Sequence, residues 1–230
     1  MGTSTGTAPW WLRVIFVALG VAAWLWTQSL IAQRPLTTDS AKLVGDVLLD
    51  ALEGTNQYLE AHRGGITDWL LIVSSSVINV LAFLMLGQAI FGPSIRPFLS
   101  LLLVFGMRQI CQALCTLPAP TGFIWYEPGF PGLLVTYEVA SDFFFSGHTS
   151  LAVLGAIELA RLGKGWIPVA ILIVVFESVT VLALRVHYTM DVFTGIVAAC
   201  CAATLGERWS PWCDRMLARI VPSRASSVAE

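Results

Sequence analysis

Trp69–Phe91 reads WLLIVSSSVINVLAFLMLGQAIF, 23 residues without one ionisable side chain. A helix crosses the ~30 Å hydrocarbon core of a bilayer in about 20 mostly apolar residues, so this stretch is long enough to span it. Gly92-Pro93 ends it, because proline removes a donor and clashes with the preceding turn. Five further stretches read in the same way: Trp10–Ala32, Pro97–Cys115, about Ser146–Leu162, Trp166–Leu184 and about Tyr188–Gly206. The expected fold is all-α, a polytopic membrane protein whose six transmembrane helices form a single domain over residues 1–230.

The composition supports this. Hydrophobic residues make up 56% of the 230 and charged residues 12%. A soluble chain carries roughly 25% charge, so this one cannot coat a globule with polar surface. A net charge of −2 removes any electrostatic case for nucleic acid. The five cysteines lack metal-ligand spacing and read as buried small hydrophobes, and no metal or cofactor is expected. The first span lacks the basic flank of a cleaved signal peptide.

Two long connections remain. In residues 33–68, Leu43, Val47, Leu48, Ala51 and Leu52 recur at helical spacing, as in an amphipathic segment lying along the interface. Residues 116–145 contain no Lys or Arg and are rich in Pro, Gly and aromatics. With six spans, one side receives Arg13, Arg96, Arg161, Lys164, Arg208, Arg215, Arg219 and Arg224. The other receives Arg34, Lys42, Arg63 and Arg185. The positive-inside rule then makes both termini cytoplasmic, with 207–230 a cytoplasmic tail. Residues 116–145 form a loop on the lumenal, periplasmic or extracellular side.

Ionisable residues inside a membrane cost at least ~2.5–3.5 kcal/mol and mark candidate sites. Arg108, His148, His187 and Asp191 all fall towards the non-cytoplasmic ends of their spans, so three helices converge in one leaflet. His187 and Asp191 are four apart, which on a helix puts both on one face. There the carboxylate can take the proton of one imidazole nitrogen and leave the other its lone pair. A satisfied polar pair between helices is the other reading. Ser146 suits an N-cap, and Gly147 removes side-chain bulk where free N–H groups of a helix start can bind phosphate. Arg108 and Arg185 can clamp phosphate oxygens, although Arg185 can also snorkel. Glu177, midway along the fifth span, reads as a buried partner for Arg108 or as a proton carrier.

These residues resemble a known group. Asp142-Phe143-Phe144-Phe145-Ser146-Gly147-His148-Thr149 and His187-Tyr188-Thr189-Met190-Asp191-Val192 are similar to two catalytic motifs of the sphingomyelin synthases, G-D-x-x-x-S-G-H-T and H-Y-T-I-D-V. Arg108, eight residues before Thr116-Leu117-Pro118-Ala119-Pro120, looks like a third. Gly122-Phe123 and the phenylalanine run also resemble the plant phosphatidylcholine:diacylglycerol cholinephosphotransferases. Both groups are relatives of the type 2 phosphatidic acid phosphatases. The resemblance covers about Arg108–Gly195. Ala140-Ser141 and Met190 depart mildly from the synthase pattern. The phosphatases' basic motif is broken at Ala89, and the Arg before their last His is Val181 here.

The resemblance implies an integral-membrane transferase moving phosphocholine, or phosphoethanolamine, from a phospholipid donor to a lipid-alcohol acceptor, ceramide or diacylglycerol. It implies that His148, His187 and Asp191 are catalytic, the reaction passing through a phosphohistidine. Arg108, Arg185, Ser146, Gly147 and Asp142 would hold the substrate. Trp125 and Tyr126, with Phe130, Tyr137 and Phe143–Phe145, would wall a choline group. A lipid phosphate phosphatase or phospholipase C-like hydrolase is the alternative in the same superfamily, and a non-enzymatic scaffold the alternative outside it. The sequence leaves homo-oligomer formation open.

Overall fold

The structure, a computed structural model, describes residues 8–32, 44–115, 117–129 and 143–220. Its described elements are helices α1 (Trp10–Ala32), α2 (Val47–Ala51), α3 (Glu53–Ala61), α4 (Ile66–Phe91), α5 (Arg96–Leu114), α6 (Gly147–Arg161), α7 (Ile167–Ala183) and α8 (Thr189–Ile220). A 3₁₀ turn, Lys164–Trp166, leads into α7. Five of these helices, α1, α4, α5, α7 with its leading turn, and α8, are long and apolar enough to cross a membrane. They expose large side chains such as Leu19, Phe83, Ile110, Leu172 and Phe193, the surface a lipid-facing helix presents.

The fourth expected span, α6, does not meet that length. It has 15 residues, about 22 Å at ~1.5 Å per residue. The reason is its place in the bundle. α6 is the central helix, packed on α7, α8, α4 and α5. From Thr149 to Leu159 it is buried almost throughout, with protein rather than lipid on every side. Its ends need to reach only neighbouring side chains. Ser146 starts it, its Oγ accepting from the Thr149 N–H at 3.2 Å. At the other end Glu158 receives Arg96 at 2.6 Å and Arg161 at 3.8 Å, and Arg161 also meets Glu207 of α8. This cluster ties α5, α6 and α8 together.

α8 continues past Gly206 to Ile220, where a tail was expected from residue 207. Its polar end has partners. Asp214 accepts from Ser94 Oγ at 2.6 Å and from the Ile95 N–H at 3.0 Å, closing the start of α5. The cysteines depart from expectation too. All five are free; Cys115, Cys200 and Cys201 are exposed and the other two only partly covered, so none is a core residue.

Residues 47–61 fold as two helices that meet at Leu52. Of the stripe read from the sequence, Leu52 packs on the core, Val47, Leu48 and Ala51 are exposed, and Leu43 lies outside the described residues. Val47 is 85% exposed and Leu48 45%, whereas Leu49, Asn56 and Leu59 are buried. The helix pair is fastened over one end of the bundle. Asn56 Nδ2 donates to the carbonyls of Gly122 and Ala183, each at 3.0 Å. A Cβ at Gly122, whose φ is +80°, would lie 2.5 Å from Asn56 Oδ1, so glycine serves both the turn and the contact. Asp46 caps α2 and also accepts from the Thr189 N–H and hydroxyl, both at 2.7 Å, at the first turn of α8. Burial raises the Asp46 pKa, but its hydrogen bonds, led by the Thr189 hydroxyl, outweigh that and hold it below the usual carboxylate range. The clamp is thus fully made at neutral pH and loosens as the pH falls through that depressed pKa.

A candidate active site held by backbone carbonyls

Phe143–Ser146 runs between the ends of α5 and α8 and turns into α6. Its backbone collects the site. His187 Nδ1 donates to the Phe143 carbonyl at 2.8 Å. A carbonyl oxygen only accepts, so Nδ1 carries the proton and Nε2 keeps its lone pair. Arg108 Nε donates to the Phe145 carbonyl at 2.8 Å. The Ser146 N–H donates to the Asp191 carbonyl at 3.1 Å. One short segment therefore sets the positions of an imidazole, a guanidinium and the start of α8.

The His187 and Asp191 side chains do come together, but not as neighbours on one helical face. α8 begins at Thr189, so His187 stands before the first helical turn. Asp191 Oδ2 reaches back to the Tyr188 N–H at 2.9 Å, as a carboxylate does in a capping box. It lies 3.5 Å from His187 Nδ1, outside good hydrogen-bond range. The carboxylate closes the helix start and faces the imidazole electrostatically, while the carbonyl decides the tautomer. Both residues are buried, Asp191 fully and His187 to within 3%.

His148 is the second residue of α6. Its ring meets Trp125 edge to face, centroids 5.0 Å apart at 88°. His148 Nε2 is buried without a hydrogen-bond partner among the described residues. Arg108 is 7% exposed and crosses directly over Gly147. A Cβ on residue 147 would come within 3.2 Å of Arg108 Nε and push it back by a few tenths of an ångström, so glycine lets the guanidinium lie undisplaced against the start of α6.

Arg108, His148 and His187 line one cavity together with Gly147, Trp125, Phe123 and Phe143. Phe123 and Phe143 pack edge to face at 5.6 Å. Beyond them the cavity is lined by apolar side chains and the Gln28 amide and runs between α1, α4 and α5.

Other sequence candidates stand elsewhere. Arg185 binds the carbonyls of Thr121 at 2.7 Å and Leu49 at 3.0 Å, and the Glu53 carboxylate. It fastens the α2–α3 pair. Tyr126 donates to Asp68 and lies under Arg63, 5.0 Å from ring centroid to guanidinium. Ser146 is occupied as the cap of α6. Glu177 does not pair with Arg108: it accepts from Ser74 Oγ on α4 at 2.7 Å, because its face of α7 turns towards α4. Asp142, Phe130 and Tyr137 lie outside the described residues. Sequence reading missed the Phe143 and Phe145 carbonyls, since the phenylalanine run invites a reading of rings. It also missed Asp46 as a brace, although an aspartate just before a helix is a cap signal.

With this geometry in view, the comparison with known families is decisive. Residues 55–208 match the AtPDCT1/2 family. The chain belongs to that family. Its members are phosphatidylcholine:diacylglycerol cholinephosphotransferases, so the match falls on the cholinephosphotransferase side of the resemblance. No individual curated protein matches the chain. Arg108, His148, His187 and Asp191 all fall inside the stretch shared with AtPDCT1/2, whereas α1 lies outside it.

Two outcomes follow from the carbonyl-held site. Asp191→Asn keeps an oxygen for the Tyr188 N–H, and the Phe143 carbonyl still fixes the tautomer. Its kcat should fall by only about 10–100-fold, against about 10⁴-fold where a carboxylate alone orients the histidine. Asp191→Ala loses the cap as well and should fall further. Equal losses in the two variants would assign the tautomer to the carboxylate. Gly147→Ala should lower kcat by up to about 100-fold with the fold retained, through displacement of Arg108. Unchanged turnover would show that Arg108 needs no such placement.

Proposed function

We propose that this protein moves phosphocholine from phosphatidylcholine to diacylglycerol through a phosphohistidine on His187. One observation carries the reading: His187 Nδ1 is engaged by the Phe143 carbonyl, which leaves Nε2 as the nucleophile for the cavity shared with His148 and Arg108. In the first half, Nε2 attacks phosphorus and the P–O bond to the diacylglycerol breaks. Protonated His148 gives its proton to the departing oxygen. In the second half, His148 takes the proton of the incoming hydroxyl, whose oxygen attacks phosphorus while the P–N bond breaks. Arg108 and the N–H groups at the start of α6 neutralise the oxygens on phosphorus.

Charge favours a diester over a free phosphate monoester. A phosphodiester carries one negative charge and a monoester close to two. Arg108 lines the cavity, while Arg185 is committed to Glu53 and two carbonyls. The lining favours choline over ethanolamine. Phe123, Trp125 and Phe143 line the cavity, and a ring face turned to a quaternary ammonium is worth about 0.5–2 kcal/mol. No carboxylate among the described residues lines the cavity to receive a primary ammonium.

In this reading α6 completes six crossings, both termini are cytoplasmic and the site opens on the opposite side. A cysteine at Gly129 in a cysteine-free background should then be labelled from the non-cytoplasmic side. Labelling from the cytoplasm alone means the inverse orientation. The activity itself is tested with choline-labelled phosphatidylcholine and either diacylglycerol or ceramide. Label should appear in new phosphatidylcholine. Label in sphingomyelin instead makes ceramide the acceptor. Free phosphocholine as the main product with acceptor present makes the protein a hydrolase.

A further inference from the structure

The cavity does not stop at the reacting groups. From Arg108, its wall on α5 continues through Phe105, Leu102 and Leu101 to Phe98. Ten residues of helix separate Phe98 from Arg108, about 15 Å at ~1.5 Å per residue. On the way the lining carries no charge, and α1 and α4 supply the opposite walls, with Gly20, Val21 and Ala82 among them. Phe16 meets Phe98 edge to face at 5.7 Å and closes the far end. Trp24 packs on Phe105 at 4.9 Å and closes the flank. Gly20 sits against Phe98, where a Cβ would be 2.5 Å from the ring, so glycine there makes room for the phenyl group.

Such a groove is continuous with a phosphate-handling site, apolar apart from the Gln28 amide and directed along the helices. Its occupant must therefore be attached to the reacting phosphate ester and be linear and apolar. We propose that it seats one acyl chain of the diacylglycerol unit, and that α1, outside the family match, supplies the wall that measures that chain. The proposal rests on the transfer reading and adds a consequence to it. The leaving and the entering diacylglycerol are the same chemical species and use one seat in turn. Chain preference should thus be the same for donor and acceptor.

Phe98 and Leu86 set the depth. Phe98→Ala opens the floor, and Leu86→Trp fills the groove from α4. Competition between dioctanoylglycerol and dioleoylglycerol reads the effect as a ratio of products, which loss of folded protein leaves unchanged. Phe98→Ala should move the ratio towards dioleoyl product and Leu86→Trp towards dioctanoyl product, each by about 10-fold. The same shifts should appear when the two chain lengths are offered as phosphatidylcholine donors. Unmoved ratios, or shifts in one common direction, overturn the seat.

A second measurement does not need catalysis. A diacylglycerol with a diazirine near the methyl end of one chain is photolysed with wild type and with His187→Ala. Labelling at Val21, Trp24, Phe98 or Leu102 in both supports the seat, even if wild type transfers nothing and the catalytic reading fails. Labelling spread over exposed α1 residues such as Ile15, Leu19 and Leu25 means that the chain stays in bulk lipid, and the proposal falls while the catalytic reading stands.

Discussion

His187→Ala should abolish transfer, by about 10⁴-fold or more, while the protein still folds and inserts. No other described nitrogen has the same standing. The Phe143 carbonyl, at 2.8 Å, fixes one edge of the ring, and the rest of the ring lines the cavity. Loss of the ring removes the atom to which the phosphorus would bond. The carbonyl and Asp191 remain, and neither can substitute, since one is neutral backbone and the other does not line the cavity. Wild type given choline-labelled phosphatidylcholine without acceptor should retain acid-labile label, and His187→Ala should retain none. Label persisting at full level in the variant would move the nucleophile elsewhere.

His148→Ala should lower transfer from phosphatidylcholine by about 10³-fold, within the range for loss of a positioned acid–base group. The effect should depend on the leaving group. Diacylglycerol departs as a poor leaving group and needs the proton, whereas p-nitrophenol departs as a stable anion without one. Release of p-nitrophenolate from p-nitrophenylphosphocholine should therefore fall by at most about 10-fold in the same variant. The observation behind this is a ring set against Trp125 at 5.0 Å whose Nε2, though buried, has no hydrogen-bond partner among the described residues. Equal losses with both donors would make His148 a binding residue.

The two variants also separate the halves of the reaction. With His187→Ala, no enzyme-bound label forms from either donor. With His148→Ala, p-nitrophenylphosphocholine should load the enzyme, and the label should then leave slowly, because the acceptor hydroxyl has lost its base. The asymmetry tests the division of labour between two histidines that share one cavity.

The membrane class and the positions of the long helices were legible in the sequence because hydropathy is a local property. Trp69–Phe91 can be read as a span whatever surrounds it, and α4 occupies Ile66–Phe91. The candidate chemical groups were legible for a similar reason. An arginine or histidine in an apolar run is conspicuous by its cost, and Arg108, His148 and His187 do meet in one cavity. α6 shows where local reading stops. Its 15 residues sit at the centre of the bundle with α4, α5, α7 and α8 around them, and no hydropathy window contains that fact.

The sequence by itself picked out the candidate residues; the tertiary structure decided what each is bonded to. His187 and Asp191 look like a helical pair until α8 starts only at Thr189, which leaves them 3.5 Å apart and gives the His187 proton to the Phe143 carbonyl. Arg185 looks like a phosphate clamp until the α2–α3 pair arrives with Glu53 and the Leu49 carbonyl. Glu177 looks like the counter-charge of Arg108 until α7 turns it towards Ser74. The physical reason is common to all three. Every residue carries a backbone carbonyl, so the residue's identity says nothing about which carbonyl will receive a proton. That choice depends on which segments come within about 3 Å of each other, and only the packed bundle brings Phe143–Ser146 between α5 and α8.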